Sequence, residues 1–254
     1  MATIGILGVG GLAGLMLRGW QGSGHRFILS PRGAEASARL AAEFGCDRAD
    51  SNQAVVDGAD AVFVSLPAAT GADELARLRF RPGQPVLSAM AGTGLTRLQQ
   101  AVGPARAAVG MMPGYANAYR LGPSILCPDD GFWHEALAHV GPVHALPDEA
   151  QFTAAATFGA LSGASIWWMA HVADWFAAQG LDRATALALV AGTLRGNAEV
   201  LLREPRPVGD ICAGVTTPGG ITLQLLDHLG GKGALEAWDS GLDAVLRRIG
   251  GGKG

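Results

Sequence analysis

The stretch that most restricts what this chain can fold into is Gly8-Val9-Gly10-Gly11-Leu12-Ala13, close to its start. It follows the apolar run Ile4-Gly5-Ile6-Leu7 and opens Leu12-Ala13-Gly14-Leu15-Met16-Leu17, so a buried strand turns directly into a helix. Glycine at Gly8 and Gly10 permits the tight turn and lets the backbone come close to a phosphate. The helix N-terminus beyond it aims unpaired N–H groups and a positive dipole end at the same place. Ala13 stands where a small residue lets the helix pack on the strand. A glycine-rich turn can also exist without a ligand, and this chain has 38 glycines, so position decides. The pattern falls where a first βα unit must turn. The expectation is dinucleotide binding, with Gly8, Gly10, Gly11, Leu12 and Ala13 on the cofactor.

The rest of the chain reads as alternating elements up to about Asp148. Arg26 to Leu29, Ala61 to Leu66, Pro85 to Met90, Ala105 to Met111, Ser124 to Cys127 and Pro142 to Leu146 are strand-like. Ala34 to Phe44, Gln53 to Asp57, Leu95 to Val102 and Phe132 to Val140 carry helical spacing. That alternation predicts βαβ units and a doubly wound, mostly parallel sheet of the Rossmann type. From Asp148 to Ile249 no strand pattern appears. Gln151 to Gln179, Arg183 to Leu202, Ile221 to Leu229 and Ala234 to Arg248 read as helices, punctuated by Gly180, Pro205, Pro207 and Gly230-Gly231. The expected organisation is an α/β cofactor domain over 1–148 and an all-α domain over 149–254.

Composition narrows the class. With 254 residues, 49% hydrophobic and 16% charged, the chain has ample material for a core. A net charge of -3 gives no basic excess, which argues against a nucleic-acid partner. Cys46, Cys127 and Cys212 are scattered without a metal-ligand spacing, which predicts no metal and a reducing, cytoplasmic setting. The chain opens on a strand pattern rather than a signal peptide. His171 and Asp174 interrupt the most apolar helix, Ala160 to Ala178, so no membrane span is expected. Trp167, Trp168 and Trp175 on that helix are expected to pack against another helix, and a homodimer or larger homo-oligomer follows.

The second strand ends at Ser30-Pro31-Arg32, where a dinucleotide fold usually carries an acid for the adenine ribose 2′-hydroxyl. No acid stands there. A hydroxyl at Ser30 and a guanidinium at Arg32 suit a 2′-phosphate, although an Arg at a strand end can equally be a solvated surface group. The agreement of the two signs predicts NADPH, with NADP preferred over NAD. In the helical half lies Val215-Thr216-Thr217-Pro218-Gly219-Gly220-Ile221-Thr222. A Pro-Gly-Gly turn before a helix can present N–H groups to a carboxylate, with hydroxyls at Thr217 and Thr222 beside it; taken alone it is also an ordinary helix cap.

In chain order the Gly-turn with Leu12-Ala13, Asn52, Ser65-Leu66-Pro67, Met112-Pro113, Leu161-Ser162-Gly163 and Thr217-Pro218-Gly219-Gly220-Ile221-Thr222 resemble the pyrroline-5-carboxylate reductase family over nearly the whole chain. The last block is the most specific. The resemblance implies reduction of the C=N bond of a cyclic imino acid by NADPH or NADH, a place in proline biosynthesis, and a dimer of interlocking helical domains. It implies that Gly8, Gly10, Ser30, Arg32 and Asn52 hold the dinucleotide, that Leu66 and Pro67 line its adenosine side, and that Met112 and Pro113 approach the nicotinamide. Gly219 and Gly220 would bind the substrate carboxylate. Thr222 would bond the imine nitrogen, with Thr217 and Ser162 as further catalytic candidates.

The chain departs from the family pattern on the substrate side. Gly114-Tyr115-Ala116-Asn117 replaces Asn-Thr-Pro-Ala, Ala164-Ser165-Ile166-Trp167-Trp168 replaces Ser-Gly-Pro-Ala-Tyr, and Leu225 stands where a small residue is usual. The hydride-transfer scaffold is therefore expected to be kept while the substrate differs. Reduction of another imine or ketone, exchange of hydride between a deazaflavin and NADP, and non-catalytic NADP sensing all remain open at this point.

Overall fold

The computed structural model describes residues 1–251. Its elements run β1 (Thr3–Leu7), α1 (Gly11–Trp20), β2 (Arg26–Leu29), α2 (Ala34–Phe44), β3 (Asp47–Arg48), α3 (Asn52–Gly58), β4 (Ala61–Val64), α4 (Ala68–Leu75), β5 (Pro85–Ser88), α5 (Leu95–Val102) and β6 (Arg106–Met111). They continue with α6 (Tyr115–Ala118), β7 (Ser124–Cys127), α7 (Gly131–Ala138), β8 (Val143–Ala145), α8 (Glu149–Ala155), α9 (Phe158–Ala178), α10 (Arg183–Arg203), α11 (Val208–Val215), α12 (Ile221–Gly230) and α13 (Ala234–Ile249).

The eight strands form one sheet in the order β3-β2-β1-β4-β5-β6-β7-β8. Every pair is parallel except β6 with β7. The order reverses between β1 and β4, which opens a crevice at the carboxyl ends of those strands, the place where such sheets bind ligands. β4 is buried along its whole length, which is why it reads in sequence as an unbroken apolar run. Helices cover both faces. Met16, Leu17, Trp20, Trp133 and Leu137 close one face, and Val55, Val56, Leu75, Leu98 and Phe152 close the other. Trp20 is fully buried; its Nε1–H donates to Ala136 O at 2.7 Å and its ring stacks on Phe27 at 5.6 Å.

The chain forms two compact units, Met1–Gly159 together with residues from Leu246 on, and Ala160–Val245. One helix expected over Gln151 to Gln179 is two, and the break has a local cause. Asp148 Oδ1 caps α8 by accepting from Gln151 N at 2.8 Å, while Phe152 and Ala156 are buried beneath the sheet. At the far end Thr157 turns its hydroxyl back onto Ala154 O at 2.8 Å, competing with the helical bond. The second unit is helical throughout. Its buried core consists of Ala173, Ala186 and Val190, backed by Met169, Val172 and Phe176. Among the described residues no helix is long and apolar enough to cross a membrane.

Candidate cofactor and substrate sites

The first unit builds its site at the crevice. Gly8 has φ +91°, and a Cβ there would lie 2.5 Å from Ser65 O, so only glycine lets the end of β1 pass this close to the end of β4. Two serines brace the turn. Ser65 Oγ donates to Gly8 O at 2.7 Å, and Gly8 N donates to Ser30 Oγ at 3.2 Å. Beyond the turn, Gly10 N-caps α1 with no side-chain cap. Cβ positions built on Gly10 and Gly11 meet nothing within 4 Å. An uncapped helix start with open space above it leaves its first N–H groups free for an anion. The turn thus fits a dinucleotide pyrophosphate on its geometry.

This arrangement reassigns Ser30. It was expected on the 2′-phosphate, but it is fully buried, accepts from Gly8 N, and receives the Ser37 hydroxyl on its carbonyl at 2.9 Å. Its hydroxyl holds the turn and faces no solvent. Ala13, Leu66 and Met112 also turn their side chains into the core, so only their backbone is available to a cofactor. Arg32, Asn52 and Pro67 are accessible. Arg32 and Asn52 share a cleft of about 550 Å³ with Pro31, Ser51, Glu74 and Arg77. Gly33, next to Arg32, comes within 3.9 Å of Val9 O by its Cβ position, which puts this cleft beside the Gly-turn. Arg32 is hydrogen-bonded there to Glu74.

In the second unit Gly219 has φ +72° and Gly220 N-caps α12 without a side-chain cap. Gly220 N donates to Thr217 O at 2.9 Å, which closes the turn and puts Thr217 beside the helix start. Gly219, Thr217 and Thr222 are exposed, and Ser162 is half-buried on α9. The α12 start is therefore an open helix N-terminus with hydroxyls beside it.

Comparison with known proteins agrees with both units. Residues 149–251 match the sequence family described as pyrroline-5-carboxylate reductase dimerisation, and residues 3–92 match the one described as NADP oxidoreductase coenzyme F420-dependent. The pyrroline-5-carboxylate reductase of Pseudomonas aeruginosa is 28% identical, with 96% of this chain and 94% of that protein aligned. The crystal structure of 1-pyrroline-5-carboxylate reductase from Streptococcus pyogenes superposes with a TM-score of 0.86 at 24% identity, covering 98% of each chain. A Plasmodium falciparum pyrroline carboxylate reductase with NADP bound gives 0.85 at 15% identity, covering 98% of this chain and 97% of that one. Over nearly its whole length the chain is similar to pyrroline-5-carboxylate reductases, at 28% identity or less.

Within that family frame, one departure has a structural account. Asn117 is fully buried and works as a polar knot. Its Oδ1 accepts from Gly114 N at 3.0 Å, and its Nδ2 donates to Gly122 O at 2.8 Å and to Val140 O at 3.3 Å. The knot ties the chain after Met112-Pro113 to the neighbouring turn and leaves Tyr115 exposed. Sequence reasoning named this residue only as a departure and gave it no role; it likewise gave none to Ser65, Glu74 or Arg77. The Ser65-Leu66-Pro67 block did carry a signal for the serine. Glu74 and Arg77 carried none, because they reach Arg32 only through the fold.

Proposed function

We propose that this reductase-family chain reduces the C=N bond of a small imino acid with NADPH. The observation that carries the reading is the braced, uncapped and open turn from Gly8 to Gly11. When bound, the cofactor supplies a hydride from its nicotinamide ring, and the chain's own groups bind, orient and exclude water. Gly8, Gly10 and the N–H groups of Gly11, Leu12 and Ala13 hold the pyrophosphate; Arg32 and Asn52 hold the adenosine end. Leu66, Met112 and Pro113 offer backbone along the cofactor, and Pro67 its ring.

On the substrate, Gly219 and Gly220 bind the carboxylate through N–H groups and Thr222 hydrogen-bonds the imine nitrogen, with Thr217 and Ser162 alongside. An iminium is already electrophilic, so threonine hydroxyls suffice and no strong acid is needed. The exposed tryptophans on α9 and the match to a dimerisation family support a homodimer or larger homo-oligomer through the helical unit as the working form. The departures at Gly114–Asn117 and Ala164–Trp168 favour an imine other than pyrroline-5-carboxylate. A panel of cyclic imines with and without a carboxylate, followed by loss of NADPH absorbance, tests this. Turnover confined to carboxylated imines is the expected result, and no turnover of any imine overturns it.

A further inference from the structure

The cleft beside the Gly-turn holds an opposing charge that the cofactor reading alone does not explain. Arg32 Nη1 is paired with Glu74 Oε1. The partners are unequal: the Glu74 side chain is 18% exposed and that of Arg32 67%. Glu74 sits in the last turn of α4, and Thr70 Oγ1 donates to the same oxygen at 3.4 Å. The carboxylate is the fixed member, and the guanidinium is the arm laid onto it. Arg77, just past the end of α4, lines the same cleft and forms no ion pair among the described residues. Asn52 completes the wall.

An acid that is absent from the end of β2 is thus supplied across the cleft from α4. Against a ribose 2′-hydroxyl such a carboxylate is harmless. Against a 2′-phosphate it repels the incoming charge and competes for the one guanidinium nearest to it. Resting on the reading of this cleft as the adenosine end of an NADP site, we infer that Glu74 is an internal competitor for the 2′-phosphate, set against Arg32 and Arg77. It sets the ratio of NADPH to NADH affinity. Binding of the phosphorylated cofactor exchanges one charge-assisted pair for another, and Arg77 provides the second cation once Arg32 has moved.

The test is equilibrium binding to the full-length chain, read by tryptophan fluorescence or calorimetry, with NADPH, NADH, 2′,5′-ADP and 5′-AMP. Glu74→Gln keeps the shape and removes the charge; it is expected to tighten NADPH and 2′,5′-ADP by about threefold to tenfold, the range of a partly shielded ion pair. NADH and 5′-AMP should stay within about twofold, and Arg77→Ala should weaken only the phosphorylated pair. In an Arg32→Ala background the gain from Glu74→Gln should shrink to within about twofold, because the two groups act through each other. A Glu74→Gln chain that binds NADPH no more tightly overturns the inference. So does a gain of the same size without Arg32. Glu74→Ala serves as the second variant, with thermal unfolding showing that each is folded. Wild-type chain that binds none of the four ligands would overturn the cofactor reading itself, and the inference with it.

Discussion

Tryptophans divide the molecule into two regions. In the first unit Trp20 and Trp133 are fully buried between sheet and helices. In the second, Trp167 is 70% and Trp168 39% exposed, and α11, α12 and α13 bury no residue completely within the described chain. Both units are rich in apolar side chains, but only the first covers them. Trp167, Trp168 and Trp238 instead line an open apolar groove of about 380 Å³ between α9 and α13. A sheet with helices on both faces makes its own interior. Helices that leave apolar faces uncovered need a further surface, and exposed patches of this kind mark association sites. The first unit should therefore owe its stability to itself, and the second to a partner copy.

The largest expected effect breaks the first side of that contrast. Trp20→Ala removes a buried indole and its bond to Ala136, and should cost about 3–5 kcal/mol, seen as lower stability to denaturant at every protein concentration. Trp167→Ala probes the other side. It should weaken self-association by about 2–4 kcal/mol, the scale of an interface anchor, and make the melting temperature depend more steeply on concentration. A wild-type chain that sediments as a 26.0 kDa monomer at micromolar concentration would remove the contrast altogether.

Two smaller effects sharpen it by separating chemistry from scaffold. Thr222→Ala should lower turnover on the best imine by about 2 kcal/mol, the lower end for a transition-state hydrogen bond because an iminium needs little help. NADPH affinity should not change; full activity would reduce the α12 turn to a cap. Arg32→Ala should weaken NADPH by about 1.5 kcal/mol while sparing NADH, the low end for a charged hydrogen bond because Glu74 already occupies the guanidinium. Equal dissociation constants for the two cofactors in the wild type would overturn the expected preference for NADPH.

The plainest strands in sequence were those buried on both sides, although the more exposed β2 and β8 were also read as strands. β1, β4 and β6 are apolar runs because a doubly covered strand has no polar face to alternate with. β3 escaped because it is only two exposed charged residues, Asp47 and Arg48, joined to β2 by the ladder and the Arg26–Asp47 ion pair. α4 escaped because Ala68 to Thr70 follow a proline with no apolar stripe, and α11 because Pro205 and Pro207 looked like loop. The Gly-turn and the α12 turn were legible because glycine at a fixed place has few other uses. Ser30 was seen as important for the wrong partner, since a sequence shows a hydroxyl at a strand end without showing which way it points. Glu74 lies 42 residues from Arg32, and only the α4 crossover brings them together.

The bond that Gly8 N donates to Ser30, with the one that Ser65 donates to Gly8 O, separates the shape of the turn from the choice of cofactor. The shape of the Gly-turn is fixed by the buried Ser30 and half-buried Ser65 hydroxyls, while the groups that would choose between cofactors stand in an open cleft one strand away. None of Arg32, Glu74 and Arg77 takes part in those two bonds. On the proposed reading of that cleft, single substitutions there would shift the choice of nicotinamide cofactor while the turn keeps its shape.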